Sequence, residues 1–451
     1  MTATHQDPTT ASAGQATEGL PSASLPEALS ILVSGVVPSL VRGLFTPRRS
    51  AMKLLTKLDA DGRAIGALSA VRRKHDGQGV KLLGGRIVVL WGEPAIREVL
   101  DASADIYASD AGAKAKGMSH FQPDALTLSR GEEWKDRRAF NETVLASREQ
   151  VHPFAGRFVA VVAGEVERLG VTGSLTWGDW ERLFDHITLR VIFGDQARED
   201  QELTTRLEKL MSEANRLIGL GHDDDYYELY AGIERYIREP GPESLIAQVA
   251  ETPQSVRTRV TQQIPHWMFA MRDTLGANAY RALAAIVADP AVLQRASEEI
   301  GAADLADPAA IQNLTYLEGC LQEAMRLWPT TPLLARETTR ETTLAGERLD
   351  SGTQVMMLNV FNHRDPDHVE DADRLVPERW SEDAHDYRFN HLSNGTQDCP
   401  GSPLVSLLGK AVLAHMLTRY DLSLEQPRLG PGGALPSMLD FYETRFSARP
   451  R

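Results

Sequence analysis

Between residues 131 and 312 the chain holds an almost unbroken succession of helical apolar periods, and that stretch limits the possible folds more than any other feature. Apolar residues recur at three- and four-residue intervals over 134–145, 154–169, 177–193, 201–218, 226–237 and 262–287, the spacing that lines one face of a helix. Further helical runs cover 52–71, 314–327 and 403–417, and Pro94, pre-set for helical φ, opens another through Leu100. Extended signals are short: 79–91, where Gly84-Gly85 splits two apolar runs as in a β-hairpin, then 344–349 and 354–360. The expected fold is mainly α with a small β-sheet, an α+β chain forming a single large domain over 26–451.

Residues 1–25 are rich in Thr, Ala, Ser and Gly and lack the basic-then-apolar order of a secretory signal, so a disordered tail on a cytoplasmic protein is expected. The apolar stretch 28–45 is broken by Ser34, Gly35, Pro38 and Arg42, whereas a span needs about 20 mostly apolar residues. It is expected to pack on the body or at most touch a membrane surface, with no transmembrane segment. Asp and Glu number 62 against 48 Lys and Arg, a net charge of −14 that excludes nucleic acid as a natural partner. Two cysteines, Cys320 and Cys399, are too few for a disulfide framework or an all-cysteine metal site. The long polar segment 102–130 reads as a functional or disordered loop, and the acids at 223–225 as a charged helix start on the surface.

Three places carry chemistry. Cys399 lies in HLSNGTQDCPG, residues 391–401, just ahead of a helix whose positive N-terminus favours thiolate. Gly395 and Gly401 let the backbone approach a flat ligand; the plain alternative is a buried cysteine acting as a small hydrophobe. Glu323 and Arg326 are one turn apart on a helix made apolar by Leu314, Leu317, Leu321 and Leu327. A buried pair persists only when further hydrogen-bonded, which calls for a third charge, and Arg379 in PERW (377–380) is the candidate. In FAMRDTL (269–275), Asp273 and Thr274 place an acid beside an alcohol that can turn toward a ligand and loosen the helix. Alone, the pair reads equally as a surface Asp beside a back-bonded Thr. Cys320 reads as core, and His266 and His363 as structural hydrogen-bonding groups.

The order and spacing of these pieces resemble the cytochrome P450 superfamily, in its soluble bacterial-type form, from about Gly79 onward. The family's F-x-x-G-x-R-x-C-x-G loop is matched by Gly395, Cys399 and Gly401, and its E-x-x-R and P-E-R-F segments by Glu323, Arg326 and Pro377–Trp380. Its W-x-x-x-R resembles Trp134 and Arg138, and its A-G-x-D/E-T resembles Ala270, Asp273 and Thr274, with Pro290 following. The resemblance implies a haem b with Cys399 as axial thiolate and iron ligand, and no bound flavin or iron–sulfur cluster in this chain. It implies haem contacts from Trp134, Arg138, Arg336, Gly395, Gln397 and Gly401, and a buried ion network of Glu323, Arg326 and Arg379. Asp273 and Thr274 would deliver protons for dioxygen activation. Met118, His120, Phe121, Ala270 and Met271 would line the substrate pocket.

Four departures stand out. Leu392 replaces Phe, Gln397 replaces a cation, Trp380 replaces Phe as a change of shape, and Met271 replaces the helix glycine. Met271 reads either as crowding the dioxygen space or as facing the interior. The implied activity is oxidation, typically hydroxylation, of a small apolar or amphipathic substrate by dioxygen, with electrons from a separate donor such as a ferredoxin and its reductase. Lys135, Arg137, Arg388 and Lys410 are the expected donor-facing charges. The alternatives are a peroxide-using or rearranging haem-thiolate enzyme and a non-catalytic haem sensor.

Overall fold

The apolar periods fold as helices in a computed structural model that describes residues 19–451 apart from 76, 103, 111 and 382–385. Gly131–Val144, Ala155–Leu169, Trp177–Phe193, Gln201–Ala214 and Asp224–Arg238 follow the sequence expectation within a few residues. Their apolar faces meet around Trp180, Phe184, Leu210, Ile233 and Tyr280 in the main core. Asp223 accepts from the Tyr226 amide, so the acidic run is a capped helix start. A further helix, Leu245–Glu251, is too short to show a period in sequence.

The N-terminal third departs more. Residues 49–74 are two helices, Arg49–Lys57 and Ala60–Lys74, because Asp59 turns left-handed at φ 50°. The stretch from Leu25 to Arg42 is helical throughout, since a π turn at Leu32–Val36 carries the backbone past Ser34 and Gly35 and Pro38 falls at the first turn after it. By length and composition this helix could cross a membrane, which corrects the expectation that its polar breaks disqualify it. Ala28, Ile31 and Gly35 face the body, while Leu25, Leu29, Val33 and Val37 are exposed. The expected tail lies outside the described residues up to 18; beyond that, Ala23 and Pro21 exchange backbone hydrogen bonds with Lys81, so its end is ordered on a sheet edge.

Where one small sheet was expected there are three. The largest runs β1 (Gly79–Leu82), β2 (Ile87–Leu90), β8 (Gln354–Met357), β5 (Leu334–Thr338), β3 (Tyr107–Ala108), and only the β2–β8 pair is parallel. β1 and β2 form the expected hairpin through Gly84 and Gly85, both at positive φ. A second sheet joins β4 (Gly173–Thr176), β10 (Arg445–Pro450) and β9 (Tyr420–Gln426), and β6 (Thr342–Leu344) pairs with β7 (Glu347–Leu349). The 102–130 segment is ordered, carrying β3, the helix Gly112–Met118 and a 3-10 turn at Leu126–Leu128.

Two helices position the site. Ser402–Arg419 leaves the cysteine loop and packs beside Thr315–Leu327, which in turn lies against the Pro377–Trp380 turn. Gly319 permits that last approach: a Cβ there would collide with the Pro377 carbonyl. Gly319→Ala is expected to destabilise the protein by about 1–3 kcal/mol. Gly66→Ala, at a helical position with nothing within 4 Å, should be neutral or stabilising. Chemical denaturation of both variants checks the contrast.

Candidate functional site

The apolar helix Thr315–Leu327 holds a carboxylate with no exposure at all. Glu323 receives Arg326 Nε at 2.6 Å and Nη2 at 2.8 Å, the Val376 amide at 2.9 Å, Arg379 Nε at 3.2 Å and Trp380 Nε1 at 3.0 Å. Arg326 also reaches the carbonyls of His363, Ala372 and Arg374. Arg379 is therefore the third charge anticipated from the sequence. Trp380 is more than a change of shape, because its indole N–H supplies a donor that a phenylalanine lacks. His363 accepts the Asn390 amide at Nε2 and lies 3.1 Å from the Arg326 carbonyl at Nδ1, tying the network to the segment entering the cysteine loop.

The loop itself is short-range architecture. The Cys399 amide donates to the Leu392 carbonyl and the Ser402 amide to the Cys399 carbonyl. Burial pushes the Cys399 thiol up, while the Gly401 amide and the Arg138 charge pull it back toward thiolate. Gly395 sits at φ 68° under the end of the Glu93–Asp101 helix, where a Cβ would collide with the Leu100 carbonyl, so its glycine serves backbone packing rather than approach to a ligand. Gln397 donates to the Tyr107 carbonyl, and Leu392 packs against the main core. Arg138 is engaged by Glu142 at 2.6 Å, the Asp398 carbonyl at 2.6 Å and the Asp398 carboxylate. It thus clamps the loop to the Gly131–Val144 helix. Trp134 is half-buried on that helix.

The expected 262–287 helix runs from Val260 to Ala288 with a π turn at Ala270–Leu275, the segment holding the acid and the alcohol. Arg272 is buried and bonded to Asp273 at 2.6 Å, Asp185 at 2.5 Å, Glu208 at 3.0 Å and Glu181 at 3.4 Å. Burial pushes Asp273 up to about 6 against the pull of Arg272, so it is neither a surface acid nor a fixed anion. The Thr274 hydroxyl has no hydrogen-bond partner among the described residues, whereas a back-bonded threonine would. Met271 is buried in the main apolar core, in the same cluster as Met118 and Phe121.

Around this helix the 102–130 segment forms a cover. Phe121 stacks edge-to-face on Phe269 and on Phe45. His120 reaches Glu213, Met118 lies under Thr127, and Gln122 donates to His266 Nδ1. Ala270 is half-buried. Arg336, on β5, is buried with Nε unpartnered and meets only the Ala335 carbonyl and, at 3.4 Å, the Ser393 hydroxyl.

The cytochrome P450 family model matches residues 244–431, which include the π turn, the Glu323 network and the cysteine loop. The chain is 23 % identical to cytochrome P450 81F2 of Arabidopsis thaliana over 383 residues, 74 % of this chain and 77 % of the relative. The chain belongs to the cytochrome P450 superfamily. Shorter matches include human cytochrome P450 4V2, 28 % identical over 39 % of the chain and 36 % of that protein. Another is beta-amyrin 24-hydroxylase of Glycine max, 32 % identical over 31 % of the chain and 30 % of the relative. Membership makes the chain a haem-thiolate oxidoreductase of the monooxygenase class, on the P450 fold.

The residues present fit a thiolate-ligated haem. Cys399 is a free thiol ahead of a helix N-terminus, and Arg336 is a buried guanidinium with an unpartnered Nε and no carboxylate partner among the described residues. Sequence reasoning missed the P450 loop clamp of Arg138 and Asp398, and the Arg272 cluster. The acid beside each motif residue was visible, but their burial was not. The expected donor face also needs correction. Arg137 is buried on Ser129 and the Arg257 carbonyl, Lys410 on the Gln312 carbonyl, and Arg388 is paired with Asp386. Lys135 alone of the four stands on the surface, paired with Glu132.

Trp380→Phe keeps the ring and removes one donor to a buried carboxylate, and should cost about 1.5–3 kcal/mol in denaturant unfolding. Asp273 titrates higher in the folded protein than its ordinary 3.8, so wild-type stability is lost as pH rises from near 4 through about 6. Asp273→Asn cannot ionise and escapes that loss. Its stability relative to wild type should therefore climb between pH 4 and 7, and a pH-independent difference would contradict the assignment.

Proposed function

We propose that this P450 uses haem b and dioxygen to hydroxylate a small apolar or amphipathic organic molecule, with electrons from a separate ferredoxin and its reductase. When bound, the haem supplies dioxygen activation and oxygen insertion, favoured by thiolate donation. The observation that carries the reading is the π turn, which sets an acid poised near neutrality beside a free hydroxyl. π turns inside α-helices recur at functional sites because they free backbone and side-chain groups from the regular ladder.

Each group then has a task. Cys399 donates the thiolate, steadied by the Gly401 amide and held in place by the Arg138–Asp398 clamp. Thr274 offers the hydroxyl proton and Asp273 replenishes it. Arg272 links Asp273 to Glu208 and Glu181, both partly exposed, so the chain of charge reaches from the interior to the surface. Phe121, Phe269 and Ala270 supply apolar lining that excludes water from the transfer. We place the protein in the cytoplasm, with the exposed apolar face of the Leu25–Arg42 helix at Leu25, Leu29, Val33 and Val37 available to touch a membrane surface. Two cysteines, one taken by the haem, are too few for an iron–sulfur cluster among these residues, which fits electrons from a separate donor. Retention of both Asp273 and Thr274 on the π turn supports dioxygen activation over a peroxide-using or rearranging enzyme, the reading that Met271 and Gln397 motivate.

The test begins with the reduced, carbon-monoxide-bound spectrum. A strongly red-shifted Soret band is expected for wild type and should be lost in Cys399→Ser. Thr274→Ala should keep consuming reductant while product falls by about a hundredfold, the scale of a lost general acid. Unchanged product yield would overturn the relay.

A further inference from the structure

Between residues 263 and 280 the long helix keeps accessible surface only at His266, Phe269, Ala270, Asp273 and Thr274. Steps of three and four place these residues on one face. His266 and Asp273 nevertheless lie deep in the protein, so the face lines an internal space and not the exterior. Thr274 stands at one end of that stripe and His266 at the other.

Beyond His266 the space is closed. One turn back, Gln262 donates to the Tyr226 hydroxyl at 3.1 Å, and the Tyr230 hydroxyl lies 2.9 Å from Gln262 Oε1 and 2.8 Å from the Phe121 carbonyl. Below this polar plug the wall is aromatic. Phe121 packs edge-to-face on Phe269, and Phe269 on the His266 imidazole with centroids 4.7 Å apart.

His152 and His363 spend both ring nitrogens inside the protein. His266 spends one: Gln122 Nε2 donates to its Nδ1 at 3.2 Å. That bond fixes the tautomer, leaving the proton on Nε2. Nε2 meets no described residue, and unlike the free ring nitrogens of His120 and His415 it is open to the space. Burial pushes His266 down to about 4, so the ring is a neutral donor near pH 7 and no counter-ion for a carboxylate. A donor left unpaired in an apolar enclosure is a cost that a ligand oxygen removes.

We propose that His266 is a substrate-positioning residue whose Nε2–H holds a neutral acceptor, a ketone, ester or ether oxygen, at one end of an elongated apolar substrate that reaches Thr274 with the other. The proposal rests on the haem-thiolate reading above and narrows its substrate class. Eight residues of helix separate the two groups, so the acceptor and the reacting end stand about 12 Å apart.

Titrating the ferric holoenzyme with methyl nonyl ketone and with undecane, the same chain without the oxygen, tests this through the Soret shift. Wild type should bind the ketone roughly tenfold more tightly, the scale of one hydrogen bond to a donor otherwise left unpaired. In His266→Phe, which keeps a flat ring against Phe269, the ketone should fall to the affinity of undecane. His266→Gln returns an N–H and should recover most of the preference. A ketone preference that survives in His266→Phe overturns the proposal, as does equal loss of both ligands, which would leave His266 a packing role alone. Tighter binding of undecanoate than of the ketone overturns the neutral acceptor, and a wild type that shifts with neither chain overturns the elongated substrate. A holoenzyme whose reduced, carbon-monoxide-bound spectrum lacks the thiolate band overturns the haem-thiolate reading instead, a result separate from these.

Discussion

Glu323 is the point on which the lower half of the molecule hangs. A carboxylate without solvent contact is tolerable only when its lone pairs are filled, and five donors from three segments fill them. Because those donors come from the same helix, from Val376 and from the Pro377–Trp380 turn, one side chain gathers segments with almost no regular structure. Arg326 repeats the arrangement in reverse, giving its protons to three carbonyls between His363 and Arg374. The cysteine loop inherits its position from that frame through His363 and the Asn390 amide.

The two sides of the long helix carry opposite electrostatics. Around Arg272 four carboxylates surround one guanidinium, and burial, with the neighbouring acids adding to it, raises both Asp273 and Glu181 against the pull of Arg272. Across the interior, Arg336 is a buried guanidinium that meets only the Ala335 carbonyl and the Ser393 hydroxyl among the described residues. One side is crowded with carboxylates, and the other holds a cation with no acid beside it among those residues. The asymmetry comes from charge placement on ordered elements and survives screening because both groups are enclosed.

What could be read from the sequence follows physical range. Long helices such as Gly131–Val144 and Trp177–Phe193 were legible because periodicity is local, and the Glu323, Arg326 and Arg379 grouping was legible because a buried pair demands a further partner. β4, β9 and β10 were missed although YDLSLEQ alternates, because GSLT and RFSARP are too short to show a period and the three become a sheet by pairing across more than 200 residues of sequence. Arg138 shows the same limit at the site. Its spacing from Trp134 pointed to a ligand contact, but the acid it meets, Asp398, is 260 residues away. The burial of Arg272 among Asp185, Glu181 and Glu208 likewise comes from elements far apart in sequence, which no single segment records.

A π turn is an α-helix carrying one residue too many, and Ala270–Leu275 is such a turn. Removing any one residue there would give the Val260–Ala288 rod an even pitch and a complete ladder of backbone bonds. It would also turn Asp273 and Thr274 from their present directions, whereas Tyr280 and Arg281 would keep theirs, because the turn takes up its extra residue without rotating the helix beyond it. The surplus residue is thus a registration mark: it lets one end of the rod obey the demands of packing and the middle obey those of proton transfer, two phases that a uniform helix could not satisfy together.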